Sequence, residues 1–117
     1  MTDKDKELLE LAAKAAGIKA LRSPDGVLRD CTGGDPMMNI FASKPWNPLT
    51  NDGDALRLAV QLEMQVSIGF QGRINVAVYL GVEALPVNFR EVKSNDPLAA
   101  TRRAIVRAAA KIGRNMK

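Results

Sequence analysis

Two alternating runs separated by a single Gln-Gly pair constrain this chain more than any other feature. Met64, Val66, Ile68 and Phe70 alternate with Gln65, Ser67 and Gly69; Ile74, Val76, Val78 and Leu80 alternate with Arg73, Asn75, Ala77 and Tyr79. A period of two belongs to a strand with one buried face, so the two runs predict an antiparallel hairpin. A two-residue Gln71-Gly72 turn would set Phe70 opposite Arg73 and Ile68 opposite Asn75, sending the apolar rows to opposite faces. An odd loop or a bulge aligns them. The expectation is the odd loop, Gln71-Gly72-Arg73 or two residues longer. Val87 to Val92, after Pro86, reads as a third, weaker strand.

Helices flank these strands. Thr2 caps a first helix whose Leu8, Leu11, Ala12 and Ala15 share a face and which Gly17 ends in a left-handed turn. Ile18–Arg22 and Val27–Arg29 flank Ser23-Pro24-Asp25-Gly26, a turn sequence, and read as a short hairpin. Residues 31–53 hold Pro36, Pro45, Pro48, Gly33-Gly34 and Trp46 and read as a long irregular loop. Its Met37, Met38, Ile40, Phe41 and Trp46 favour packing over a mobile cover. Asn51 or Asp52 caps a second helix, where Leu56 and Val60 widen the Ala55–Leu58–Ala59–Leu62 stripe; a helix apolar on most sides is expected to be largely buried. Asp96-Pro97 opens the last helix. Its inner face is Leu98, Thr101, Ile105, Ala108, Ala109 and Ile112, and Arg103, Arg107 and Lys111 repeat on the outer face. The expected fold class is therefore α+β: a small, mainly antiparallel sheet of three or four strands with about three helices, in one domain spanning 1–117.

Composition narrows the chemistry. At 117 residues with 46% hydrophobic content, the chain can hold one core. No apolar run approaches the roughly 18 residues of a spanning helix, and the charged start, Met1 to Lys6, leads into no signal core. With one cysteine, Cys31, no internal disulfide forms, which fits a cytoplasmic setting. There is no histidine, so Ser-His-Asp and Cys-His catalysis and the common zinc sites are excluded.

The net charge of +4 is uneven. Residues 1–95 balance to −1, whereas 96–117 balance to +5 through Arg102, Arg103, Arg107, Lys111, Arg114 and Lys117 against Asp96. An acidic partner, if there is one, belongs there. Several other groups read as structure. Asp52, Asp54 and Glu63 have calcium-loop spacing, but Arg57 stands where glycine is needed, so they read as helix-capping residues. Gly33-Gly34-Asp35 lacks the rest of a phosphate loop and reads as a turn. Cys31 reads as a structural thiol, and Trp46 as a loop anchor in preference to a stacking platform for a ligand. No cofactor or metal site is expected.

Two stretches carry a resemblance. Trp46-Asn47-Pro48-Leu49-Thr50-Asn51-Asp52-Gly53-Asp54-Ala55-Leu56-Arg57-Leu58-Ala59 resembles the signature of the phage ABA sandwich domain family. Asp96-Pro97-Leu98-Ala99-Ala100-Thr101-Arg102-Arg103-Ala104-Ile105-Val106-Arg107-Ala108-Ala109-Ala110 is similar to that family's closing helix. Together they cover about a quarter of the chain. The resemblance implies an α-β-α layered domain of tailed phages and prophages, and it carries over no catalytic residue.

Two functions follow as expectations. The first is a non-enzymatic accessory protein in the host cytoplasm, binding a host or phage protein or a small ligand. The second is sequence-tolerant nucleic-acid binding through Arg102, Arg103, Arg107, Lys111 and Arg114. A homodimer is also expected, through a Val106–Ala110 strip on the last helix.

Overall fold

A computed structural model describes residues 3–31, 43–70, 73–79, 86–92 and 95–116. In chain order the elements are α1 (Asp3–Ala16), β1 (Ala20–Arg22), β2 (Leu28–Asp30), β3 (Lys44–Pro45), α2 (Asp52–Gln61), β4 (Gln65–Phe70), β5 (Arg73–Tyr79), β6 (Pro86–Val92) and α3 (Pro97–Asn115). Among the described residues this is an α+β fold of three helices and two three-stranded antiparallel sheets. The expectations about Thr2, Gly33-Gly34-Asp35, Pro36, Met37, Met38, Ile40, Phe41, Leu80 and Lys117 lie outside the described residues.

The larger sheet has the order β4-β5-β6. Val66 faces Val76 and Ile68 faces Ile74, so the apolar rows of the hairpin do share a face, but an odd loop is not the cause. Phe70 pairs with Arg73, leaving two residues between the strands, and the register shifts between Ile68 and Phe70. The extra residue is Gly69, at φ 91°, a conformation open to glycine and strained for other residues. A bulge therefore replaces the expected odd loop. Val87 and Phe89 of β6, opposite Val78 and Val76, extend the same apolar face. Gln65, Ser67, Asn88 and Arg90 lie exposed on the other face.

On that apolar face sits α3, which packs against β5, β6, α1 and α2. Contact on so many sides is why Ala104, Ile105, Val106, Ala108, Ala109 and Ala110 are all buried. The small side chains let neighbours approach closely. At Gly113 an added Cβ would lie 2.0 Å from the Leu11 carbonyl oxygen, so α1 and α3 nearly touch backbone to backbone there. The Val106–Ala110 strip is thus covered by the chain's own elements and is not free to form the expected dimer seam. α1 buries Leu8, Leu9, Ala12, Ala13 and Ala16, a stripe rotated from the expected one because Leu9 also enters the core.

The small sheet has the order β1-β2-β3. Its first hairpin forms as expected, Ala20 pairing with Asp30 and Arg22 with Leu28. Residues 31–53 are not irregular throughout: Lys44 and Pro45 pair with Asp30 and Arg29, proline being tolerated on an edge. Trp46 and Pro48 are buried just beyond, and Trp46 joins the core cluster of the described residues with Leu9, Leu28 and Leu58.

Two further expectations fail for one reason. Periodicity buries Leu56 and Val60, yet they are 65% and 69% exposed; it puts Leu98 on an inner face, yet Leu98 is 60% exposed. Ala55, Leu58 and Ala59 suffice to seat α2 on α3, and no described element lies over the remaining apolar side. No helix of the described residues is long and apolar enough to cross a membrane.

Candidate functional site

The long helix α3 is flanked by two grooves of opposite chemistry. The first lies between α1 and β6 and has a volume of about 410 Å³. Residues four apart on a helix share a face, so Arg103, Arg107 and Lys111 line this groove, joined by Arg114 and by Lys4 from α1. The neighbours bring carboxylates to meet them. Arg103 Nη2 is 3.1 Å from Asp5 Oδ1, Arg107 Nη1 is 3.0 Å from Glu91 Oε1, and Arg114 Nη2 is 3.3 Å from Glu7 Oε1. Arg107 also donates to the Arg90 carbonyl at 3.1 Å and lies 5.7 Å from the Phe89 ring centroid. Charge at the C-terminal end of the chain therefore ties α1, α3 and β6 together.

Arg102, predicted with this cluster, is not part of it. Its Nε donates to the Leu49 carbonyl at 2.8 Å and its Nη1 to Asp52 Oδ1 at 2.6 Å, fastening the loop before α2 and the start of α2 to α3. Asn51 caps α2 by accepting from the Asp54 N–H at 2.8 Å. The buried Asp54 carboxylate accepts from the Asn47 N–H at 3.0 Å and from Arg57 Nη2 at 2.7 Å. The acidic group therefore serves structure but not as the cap expected of it: Asn51 caps α2, Asp54 holds Asn47 and Arg57, and Asp52 pairs with Arg102. Among the described residues no three metal-ligating side chains come together. Trp46 is buried with its N–H backbone donating to the Leu28 carbonyl at 2.8 Å, far from an exposed stacking platform. Cys31 is a buried free thiol.

The second groove, about 370 Å³, opens between α2 and β4 with α3 as its floor. It arises because α2 leans on α3 while α3 runs over β5 and β6, leaving a gap above the inner face of β4. Leu56, Val66, Ile68, Leu98 and Ile105 line it. Its charged members, Asp52 and Arg102, are bonded to each other. Ile68 is 61% exposed although its cross-strand partner Ile74 is fully buried. An apolar groove of this size, ringed by exposed large side chains, is built to take apolar surface out of water. Sequence reasoning missed it; the signal was the pair Leu56 and Val60, which broadened the α2 stripe beyond what one packed face uses.

No family model, curated relative or solved structure matches the chain significantly.

Proposed function

We propose that this chain is a small, non-enzymatic accessory protein of a phage or prophage, acting in the host cytoplasm by holding an apolar segment of a partner protein in the α2–β4 groove. The carrying observation is the exposure of Leu56, Ile68 and Leu98 around one groove, with Val60 one turn beyond Leu56. Exposed apolar side chains scattered singly are ordinary, but a contiguous group marks an interaction surface. The phage setting rests on the resemblance of the Trp46–Ala59 and Asp96–Ala110 stretches. The non-enzymatic reading rests on the missing histidine and on the structural use of Cys31 and Asp54.

Affinity capture from host lysate tests this reading when three proteins are compared: the natural chain, Leu98→Glu and Arg107→Ala. The expected result is one partner held by the first and third and lost from Leu98→Glu. Capture that ignores Leu98→Glu would remove the groove from the proposal. Mass spectrometry of co-purified small molecules separates a small apolar ligand from a protein.

Nucleic-acid binding is the second reading, favoured by one observation: Lys4, Arg103, Arg107, Lys111 and Arg114 line a single groove. All three of these arginines would have to leave a carboxylate to reach phosphate. A titration of duplex DNA at low salt tests it, with a salt slope of about 0.9 per phosphate contact expected if binding occurs.

A further inference from the structure

The larger sheet has two outer edges, and they are finished differently. On β6, Pro86 removes a donor, Arg90 and Glu91 supply charge, and the Arg90 carbonyl accepts from Arg107. Such devices keep a strand edge from pairing with another chain. β4 has none of these over Gln65-Val66-Ser67-Ile68, which carry no charge and no proline and run in regular register with β5. The Gly69 bulge follows directly and confines regular pairing on this edge to Val66-Ser67-Ile68. Gln65, Ser67 and Ile68 are exposed and Val66 is partly so, and among the described residues β5 is the strand's one hydrogen-bonded neighbour.

We infer that β4 pairs antiparallel with β4 of a second copy of this chain, joining the two larger sheets across a two-fold axis and bringing the two α2–β4 grooves together. This rests on the reading of that groove as a contact surface and names its partner. The sequence is self-complementary about Ser67. With Ser67 opposite Ser67 of the other copy, Val66 of each chain meets Ile68 of the other. The apolar row already formed with Val76 and Ile74 continues without a break, and the polar face stays polar. Each copy then places Leu56 and Leu98 where the other's Ile68 shields them. Charge agrees: Asp52 and Arg102 neutralise each other in the groove, and the basic side chains of the α1–β6 groove lie on the opposite flank of α3. Groove and strand together offer fewer than the roughly 20 residues a side of a standard interface, so the dimer is weak and reversible.

Sedimentation equilibrium of the full chain from about 1 to 200 μM tests this inference. The expected result is a mass rising from 12.7 kDa towards twice that value with concentration. Ser67→Lys, at an exposed site on the axis, should weaken association at least tenfold with an unchanged circular-dichroism spectrum. Leu98→Glu should weaken it through the groove. A mass of 12.7 kDa at every concentration overturns the inference, as does a dimer whose strength Ser67→Lys leaves unaltered. If the chain stays monomeric yet captures a foreign partner through Leu98, the second copy is refuted while the groove reading stands. If neither association nor capture responds to Leu98→Glu, the groove reading itself falls.

Discussion

The two flanks of α3 are made from the same helix and end in opposite states. Towards α1 and β6, arginines reach carboxylates and the helix backbones close to contact at Gly113. Towards α2 and β4, the packing stops short, and Leu56, Ile68 and Leu98 are left in solvent around a groove. The side that looks most functional in the sequence, the basic stripe, is the side the fold uses to hold itself together. The side that looks like ordinary core is the one that remains unsatisfied.

The largest expected effect breaks the closed flank. Gly113→Ala would gain a little helix propensity, about 1 kcal/mol. Its new Cβ would meet the Leu11 backbone at 2.0 Å, and backbone cannot swing aside as a long side chain can. The helices must separate, and we expect a net loss of about 2 kcal/mol or more, in the range of overpacked cores. Leu56→Ala, on the open flank, should change stability by less than about 0.5 kcal/mol. Urea denaturation of both variants checks the contrast, and equal losses would refute it.

Asp54→Ala comes next. It removes the acceptor of the Asn47 N–H and of Arg57 in a buried setting, at a cost of about 1–3 kcal/mol for a donor left unsatisfied. Since Asn47 follows the buried Trp46 directly, the tryptophan emission should shift to the red before global unfolding. An unshifted spectrum would mean that the loop is held without Asp54.

Much of the fold was legible because its signals are local. The Asp96-Pro97 start of α3 and the Gly17 stop of α1 depend on residues within one turn of one another, and the β4–β5 hairpin on two runs adjacent in sequence. The failures are non-local or quantitative. Alternation shows that the rows of β4 and β5 must align, but a Gly69 bulge and a longer loop satisfy it equally. Periodicity puts the basic stripe on one face of α3 but makes it the outer face; that Asp5 and Glu7, about a hundred residues earlier, come to meet it depends on how α1 packs. Leu98 falls on the inner stripe by periodicity, yet it sits in the first turn, where α3 has no described neighbour to cover it.

A smaller effect is expected from the charges of the closed flank. Arg107→Ala removes a partly exposed pair with Glu91 and the stacking on Phe89, which together are worth about 1 kcal/mol. Its penalty should shrink as salt rises, because screening weakens the ion pair in the natural chain. A penalty that is independent of salt would assign the role to packing and the Arg90 carbonyl bond instead.

The smallest effect belongs to neither flank and separates hydrogen-bonded charge from paired charge. Asp25 lies in the turn between β1 and β2, where the Ser23 hydroxyl donates to its carboxylate, the Val27 N–H lies 3.2 Å away and Arg29 Nη2 3.3 Å away. The Ser23 bond is the main cause; with those from Val27 and Arg29 it outweighs an opposing desolvation and holds Asp25 below its ordinary value of 3.8. The folded chain then binds this proton less readily than the unfolded chain does. Its stabilisation is present above the ordinary carboxylate range and is lost as pH falls through the lowered value. Asp25→Asn should therefore lower the melting temperature slightly near neutrality, and the gap to the natural chain should narrow as pH falls below 3.8. Because Ser23 and Val27 contribute without a formal charge, the gap at neutral pH should survive high salt, unlike that of Arg107→Ala. A gap that is constant with pH, or that closes in salt, would show the carboxylate charge at Asp25 acting through Arg29 alone or not at all.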